Sequence, residues 1–139
     1  MKNSYVNNQP IINLYKKKSL RSKIDTQLLY GENFKVLNRI NKWRKIKNER
    51  DGYTGFIKNR KFLKSIKTNF KVSVLKARIF SKPNIKGKLN KFLPYDSRLR
   101  IIRKVGKFGK FGKYWINNSD IKKISYKNKN FFKDLMIFK

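Results

Sequence analysis

The chain nearly repeats itself. Shifted along itself by 65 positions, Leu14 falls on Ile79, Leu28 on Leu93, Tyr30 on Tyr95, Phe34 on Leu99, Val36 on Ile101 and Ile46 on Phe111. Of the 13 apolar residues from Leu14 to Ile46, 12 meet another apolar residue; only Leu29, opposite Pro94, does not. At 39% hydrophobic content, about 5 matches would arise by chance, so the register reports a duplicated fold unit. Beyond Ile46 the offset shortens to 59, with Phe56 on Trp115, Ile57 on Ile116 and Phe62 on Ile121. The six residues missing from the second copy lie between the Ile46 and Phe56 strands. The first copy carries "RDGYTGFI" there, from Arg50 to Ile57.

Each copy reads as short strands. "NFKVLNRI" and "SRLRIIRKV" are apolar, β-branched runs with partial alternation. Asn41-Lys42 and Gly106-Lys107 make tight connections into "WRKIK" and "FGKFGK", a hairpin signal, and further strands follow at "GFI" and "YWI". Close spacing of short strands predicts an all-β chain of two tandem small β-barrels. The expected units are 10–66 and 67–125, followed by a tail, 126–139, whose Phe131, Phe132, Leu135, Met136 and Phe138 have helical spacing. A unit of about 60 residues has a marginal core, so the copies are expected to pack on each other or on a partner. The junction "SIKTNFKVS", Ser65 to Ser73, is short and poor in Gly and Pro, which predicts restricted motion across it.

Composition narrows the chemistry. There is no cysteine and no histidine, so a thiol nucleophile and an imidazole base are excluded together. No cofactor or metal is expected. No apolar run approaches the ~20 residues of a membrane span, and the N-terminus lacks the apolar core of a signal peptide; these point to a soluble, cytoplasmic protein. The net charge is +31, from 38 Lys plus Arg against 7 Asp plus Glu. An anionic partner accounts for it, and so does AT-rich codon usage: Lys, Asn, Ile, Phe and Tyr abound, and Ala77 is the lone alanine. Charge alone argues about fields and solubility.

The ordered set Tyr30-Gly31-Glu32, Trp43 and Asp51-Gly52-Tyr53-Thr54-Gly55-Phe56 resembles the first bacterial SH3-like domain of the NlpC-type murein peptidases, in particular the dipeptidyl-peptidase VI branch. Phe56 stands where that family has Trp. The second copy, closing on Trp115-Ile116, is similar to the family's second SH3-like domain, and the tail to the opening helix of its catalytic domain. The resemblance implies two SH3-like barrels, a short C-terminal helix and a link to cell-wall (peptidoglycan) peptides. It further implies that Glu32 and Tyr53 hold the free amine of a substrate's N-terminal L-Ala. The family's catalytic Cys and His are missing. The chain is therefore expected to be a non-catalytic recognition module acting with a separate peptidase domain, with only weak affinity for murein peptide by itself.

Plainer roles exist for the same residues. Glu32 is also readable as a turn carboxylate paired with a nearby lysine, worth about 0–1 kcal/mol if exposed. Tyr53 is equally readable as a barrel aromatic, and Trp43 and Trp115 as core. "GKFGKFGKYW" lacks the spacing of a phosphate-binding loop. A different class of function, a basic β-barrel that binds RNA or the ribosome, is the alternative; contact with nucleic acid is then expected at least nonspecifically.

Overall fold

The computed structural model describes residues 3–125. The expected tail at 126–139, including its helix, lies outside them.

The chain is all-β and antiparallel. The first copy contributes β1 (Ser4–Val6), β2 (Ile11–Tyr15), β3 (Ile24–Leu29), β4 (Asn33–Ile40), β5 (Trp43–Asn48), β6 (Thr54–Lys58) and β7 (Leu63–Lys64). They form one sheet in the order β3-β2-β6-β5-β4-β1-β7. Ser4–Val6 precedes the expected start at residue 10, yet it pairs with β4 through Tyr5 and Phe34. The second copy contributes β8 (Phe70–Val72), β9 (Lys76–Phe80), β10 (Lys88–Pro94), β11 (Arg98–Leu99), β12 (Arg103–Val105), β13 (Phe108–Phe111), β14 (Tyr114–Asn117) and β15 (Ile121–Lys123). These give two sheets, β10-β9-β14-β13-β12 and β11-β8-β15.

The two orders are the same order. Replace β4 by the pair β12 and β11, and the first sheet becomes the second copy's two sheets laid end to end. The long strand β4 is broken in the second copy at Arg100–Ile102. Asn69 bridges the break: its Oδ1 accepts from Ile101 N–H at 2.8 Å and its Nδ2 donates to Ile101 C=O at 3.1 Å. A side-chain amide thus satisfies backbone groups that a ladder would otherwise hold.

The hairpins fall where the sequence places them. Asn41 (φ 54°) turns β4 into β5, with Ile40 opposite Trp43. Gly106 (φ 56°) turns β12 into β13, with Val105 opposite Phe108. The six-residue difference is one turn. In the second copy Gly112-Lys113 alone separates Phe111 from its partner Tyr114. In the first copy residues 47–54 separate the equivalent partners, Ile46 and Gly55.

Alternate strand positions point inward, as period-2 patterning requires. One core gathers Leu14, Leu28, Phe34, Val36, Ile46 and Ile57. The other gathers Val72, Ala77, Ile79, Leu93, Leu99, Ile101, Phe111, Ile116 and Ile121. Most of these are repeat-matched pairs. Trp115 is buried, whereas Trp43 is half-buried against the edge of Tyr15.

Contacts between the copies start at Tyr30. Its ring leaves the first copy and packs against the second core, edge-on to Phe111 at 5.7 Å, and burial raises the pKa of its phenol. Its carbonyl accepts from Arg98 N–H at 2.8 Å. Gly31 follows with φ 79°, and a Cβ there would sit 1.7 Å from the Arg98 carbonyl oxygen. Only glycine permits both the left-handed backbone and that approach. The junction is tied from both sides: Asn33 brackets Ile66, and Arg100 donates to Lys67 C=O at 3.1 Å.

Gly31→Ala should therefore cost at least about 3 kcal/mol, combining left-handed strain with a backbone clash. Gly112→Ala has a similar φ of 56° but open space around its Cβ, and should cost only about 1–2 kcal/mol. Urea unfolding of the two variants checks the difference; equal losses would show that the approach to Arg98 carries no stability.

Candidate functional site

Among the described residues, the carboxylate of Glu32 is the one acid side chain drawn fully into the fold, with a residue exposure of 3%. Its position follows from the step before it. Gly31 reverses the chain, so Glu32 N–H donates to Leu29 C=O at 3.1 Å, and Glu32 Oε1 returns to accept from Leu29 N–H at 2.7 Å. Its carbonyl also accepts from Asn7 N–H at 3.0 Å. Oε2 is buried and accepts no hydrogen bond from any described residue. Arg50 Nε lies 2.8 Å away, compensating the charge without hydrogen-bond alignment. A buried carboxylate without compensation is far costlier than a surface one, and the Arg50 guanidinium offsets that cost.

The turn unique to the first copy delivers that arginine. Asn48, fully buried, caps the turn: its N–H donates to Tyr53 C=O at 2.8 Å, its carbonyl accepts from Gly52 N–H at 2.8 Å, and its Oδ1 accepts from Arg50 N–H at 2.9 Å. Asp51 Oδ1 accepts from Tyr53 N–H at 2.9 Å, and Gly52 takes φ 78°. These local bonds leave the Arg50 side chain directed towards Glu32.

Arg50 also reaches the second copy. Its Nη1 donates to Asp96 Oδ2, and Asp96 Oδ1 accepts from Arg98 Nη2 at 3.2 Å. The result is a chain of alternating charge, Glu32–Arg50–Asp96–Arg98, running from one copy to the other. The carboxylates of Asp96 and Glu32, by hydrogen bond and field, raise the Arg50 pKa against the opposing effect of burial. Arg98 Nε is buried with no hydrogen-bond acceptor among the described residues. A cavity of about 300 Å³ lies beside this network, with Glu32, Glu49, Arg50, Thr68, Arg98 and Ile124 in its lining.

The two site residues expected from the sequence are therefore placed differently. Glu32 lines the cavity. Tyr53 is 54% exposed and is not in the cavity's lining. What the turn brings to Glu32 is Arg50. The partner of Glu32 is thus an arginine rather than one of the numerous lysines, and the carboxylate is buried rather than solvated. Sequence reasoning passed over Arg50, Asp96 and Arg98. The available signal was weak: one arginine at the mouth of the one turn that the second copy lacks. Among the described residues there is no cluster of acids that could hold a metal ion, and no helix is long and apolar enough to cross a membrane.

Removing Arg50 strands a buried carboxylate. Arg50→Ala should lower stability by about 3 kcal/mol, the low end for a broken buried pair, because Arg50 itself keeps 40% of its side chain in solvent. Replacing Glu32 and Arg50 together by Met should recover most of that loss. Urea midpoints for the single and double variants check this; a loss no larger than for Lys47→Ala would deny the pair its role.

Against known proteins, the family model of the bacterial dipeptidyl-peptidase SH3 domain matches residues 14–62. That span holds Glu32, Arg50, Tyr53 and the turn. No curated protein matches the chain. Among solved structures, a NlpC/P60 family protein from Bacillus cereus superposes with a TM-score of 0.69 at 15% identity. The superposition covers 91% of this chain and 57% of that one. The fold of both copies is therefore similar to that of the Bacillus cereus protein, this chain spans little more than half of its length, and residues 14–62 carry the sequence signature of the bacterial dipeptidyl-peptidase SH3 domain.

Proposed function

We propose that this chain is a non-catalytic, peptidase-associated module of two SH3-like barrels that recognises the free amino terminus of murein peptides and acts alongside a separate dipeptidyl-peptidase VI-type catalytic domain. The observation that carries the reading is the buried Glu32 carboxylate, with one oxygen lacking a hydrogen bond at the edge of a cavity. A buried anion presented to a concave surface suits a primary ammonium, which brings both charge and hydrogen-bond donors. The match of residues 14–62 to the peptidase SH3 domain supports the same assignment. Tyr53 would join Glu32 once a ligand or a neighbouring domain covers the exposed face of the turn. Without cysteine or histidine in the chain, a Cys–His mechanism has to come from another domain.

Magnitude sets the expected affinity. One set of charge-assisted hydrogen bonds contributes about 1.5–3 kcal/mol, and association costs several kcal/mol of freedom. A half-site should therefore hold a peptide at about millimolar Kd. L-Ala-γ-D-Glu titrated into labelled protein should shift amide signals around residues 29–33 and 49–53. N-acetylation of the peptide or Glu32→Gln should abolish the shifts, and the peptide should remain uncleaved. Equal binding of the acetylated peptide, or turnover by pure protein, would refute the reading.

A second reading, a basic β-barrel that binds RNA, has one favouring observation. Among the described residues the cation–aromatic contacts all fall in the second copy: Lys76 and Arg78 lie 4.2 and 4.5 Å from the Phe92 ring, and Lys91 and Lys113 lie 5.5 and 5.3 Å from the Tyr114 ring. Aromatic and cationic groups so interleaved are what single-stranded RNA binds. On this reading log Kd for a defined RNA rises steeply with log salt while a sequence or shape preference survives. Binding that vanishes by about 150 mM salt without preference would reduce it to bulk charge.

A further inference from the structure

We propose that Arg50 is a displaceable internal occupant of the ammonium seat on Glu32, and that ligand binding hands it over to Asp96 in the second copy. The inference rests on the amine-binding reading above and adds how that site is gated.

Three observations carry it. Glu32 Oε2 is buried, and the Arg50 guanidinium lies against it at 2.8 Å through Nε. A ligand cation that pairs with that oxygen takes the place of Arg50. The two contacts of Arg50 differ in kind: Nε faces Glu32 as an ion pair outside hydrogen-bond alignment, whereas Nη1 donates to Asp96. Arg50 is already bonded to its second seat, so leaving the first needs a side-chain rotation and no movement of the Asn48-capped turn. Room exists for the exchange, since 40% of the Arg50 side chain is open to solvent and the adjoining cavity is about 300 Å³. Arg98, Thr68 and Glu49 are also in the lining of that cavity.

The exchange is cation for cation. Glu32 is never left bare, which avoids the desolvation cost that would otherwise close the site. It also makes the free protein self-competitive. Apparent affinity is reduced by the fraction of molecules in which Arg50 covers Glu32. Binding in the first copy then strengthens a contact to the second, coupling the ligand to the fit between copies.

Two substitutions separate the parts. In Arg50→Gln the amide nitrogen stands at the same bond count from the backbone as Nε, so a neutral donor replaces the cation while the reach to Asp96 is lost. L-Ala-γ-D-Glu should bind this variant about tenfold tighter than the original chain. Asp96→Asn removes the receiving seat. It should fold, because Asp96 has φ 71° and Asn tolerates that region well. It should bind the peptide about three- to tenfold more weakly. Independently, the Arg50 Nε–H resonance should shift on addition of L-alaninamide, which carries an ammonium and no carboxylate, and should stay fixed with N-acetyl-L-alaninamide.

The outcomes are distinct. If all three proteins bind the dipeptide alike, with sensitivity to acetylation retained, the amine site stands and the latch falls. If none binds and Arg50 Nε–H ignores about 50 mM L-alaninamide, the amine site falls and takes the latch with it. Should Arg50→Gln not fold, Asp96→Asn and the Nε–H resonance decide the matter: unchanged peptide affinity with an unmoved resonance overturns the proposal.

Discussion

The backbone contact between Gly31 and Arg98 governs how this chain is put together. A carbonyl oxygen occupies the space where any other residue would carry a Cβ. The same contact fixes the residues on either side. Tyr30 is sent into the second core, where it meets Phe111 edge-on. Glu32 is turned back over Leu29 and drawn out of solvent. A three-residue step thus builds a piece of the interface between copies, a close approach and a buried charge at once. Two units of about 60 residues have marginal cores when alone; sharing Tyr30 makes the second core depend on the first copy.

The charge chain Glu32–Arg50–Asp96–Arg98 adds a second tie of a different character. Hydrophobic packing is non-directional, but an ion pair with one buried member is selective about geometry. Its members come from three places: the Tyr-Gly-Glu step, the turn after β5, and the turn between β10 and β11. Each turn is held by its own local bonds. The site is therefore assembled from stiff parts whose fit to one another is set by charge.

The repeat made most of this fold legible. Matching apolar positions at one offset identified the strands, the hairpins and the site of the length difference, because side-chain burial in a sheet has a strict period. The break of β4 into β11 and β12 was not legible, since "RLRIIRKV" is as apolar and β-branched as "FKVLNRI". What decides the break is Asn69, thirty-odd residues away, whose amide replaces the ladder at Ile101. At the site, Glu32 and Tyr53 came from the resemblance to a peptidase domain, and neither burial nor partner could be read from the sequence. A run of lysines suggests a lysine partner by number. The guanidinium won by position, because Asn48 and Gly52 shape the turn that carries Arg50.

The broken strand has a bearing on the composition. Over Asn33–Lys35, β4 is paired on both sides, whereas among the described residues β12 and β10 each end a sheet of the second copy. A margin of unpaired amides and carbonyls is a template for the next chain. Here those margins carry cations: Arg103 and Lys104 on β12, and Lys88 and Lys91 on β10, which also ends in Pro94. Two such molecules meeting margin to margin would bring like charges into register. Lysine and arginine at such positions would oppose growth by edge pairing, a use of charge that needs no anionic partner.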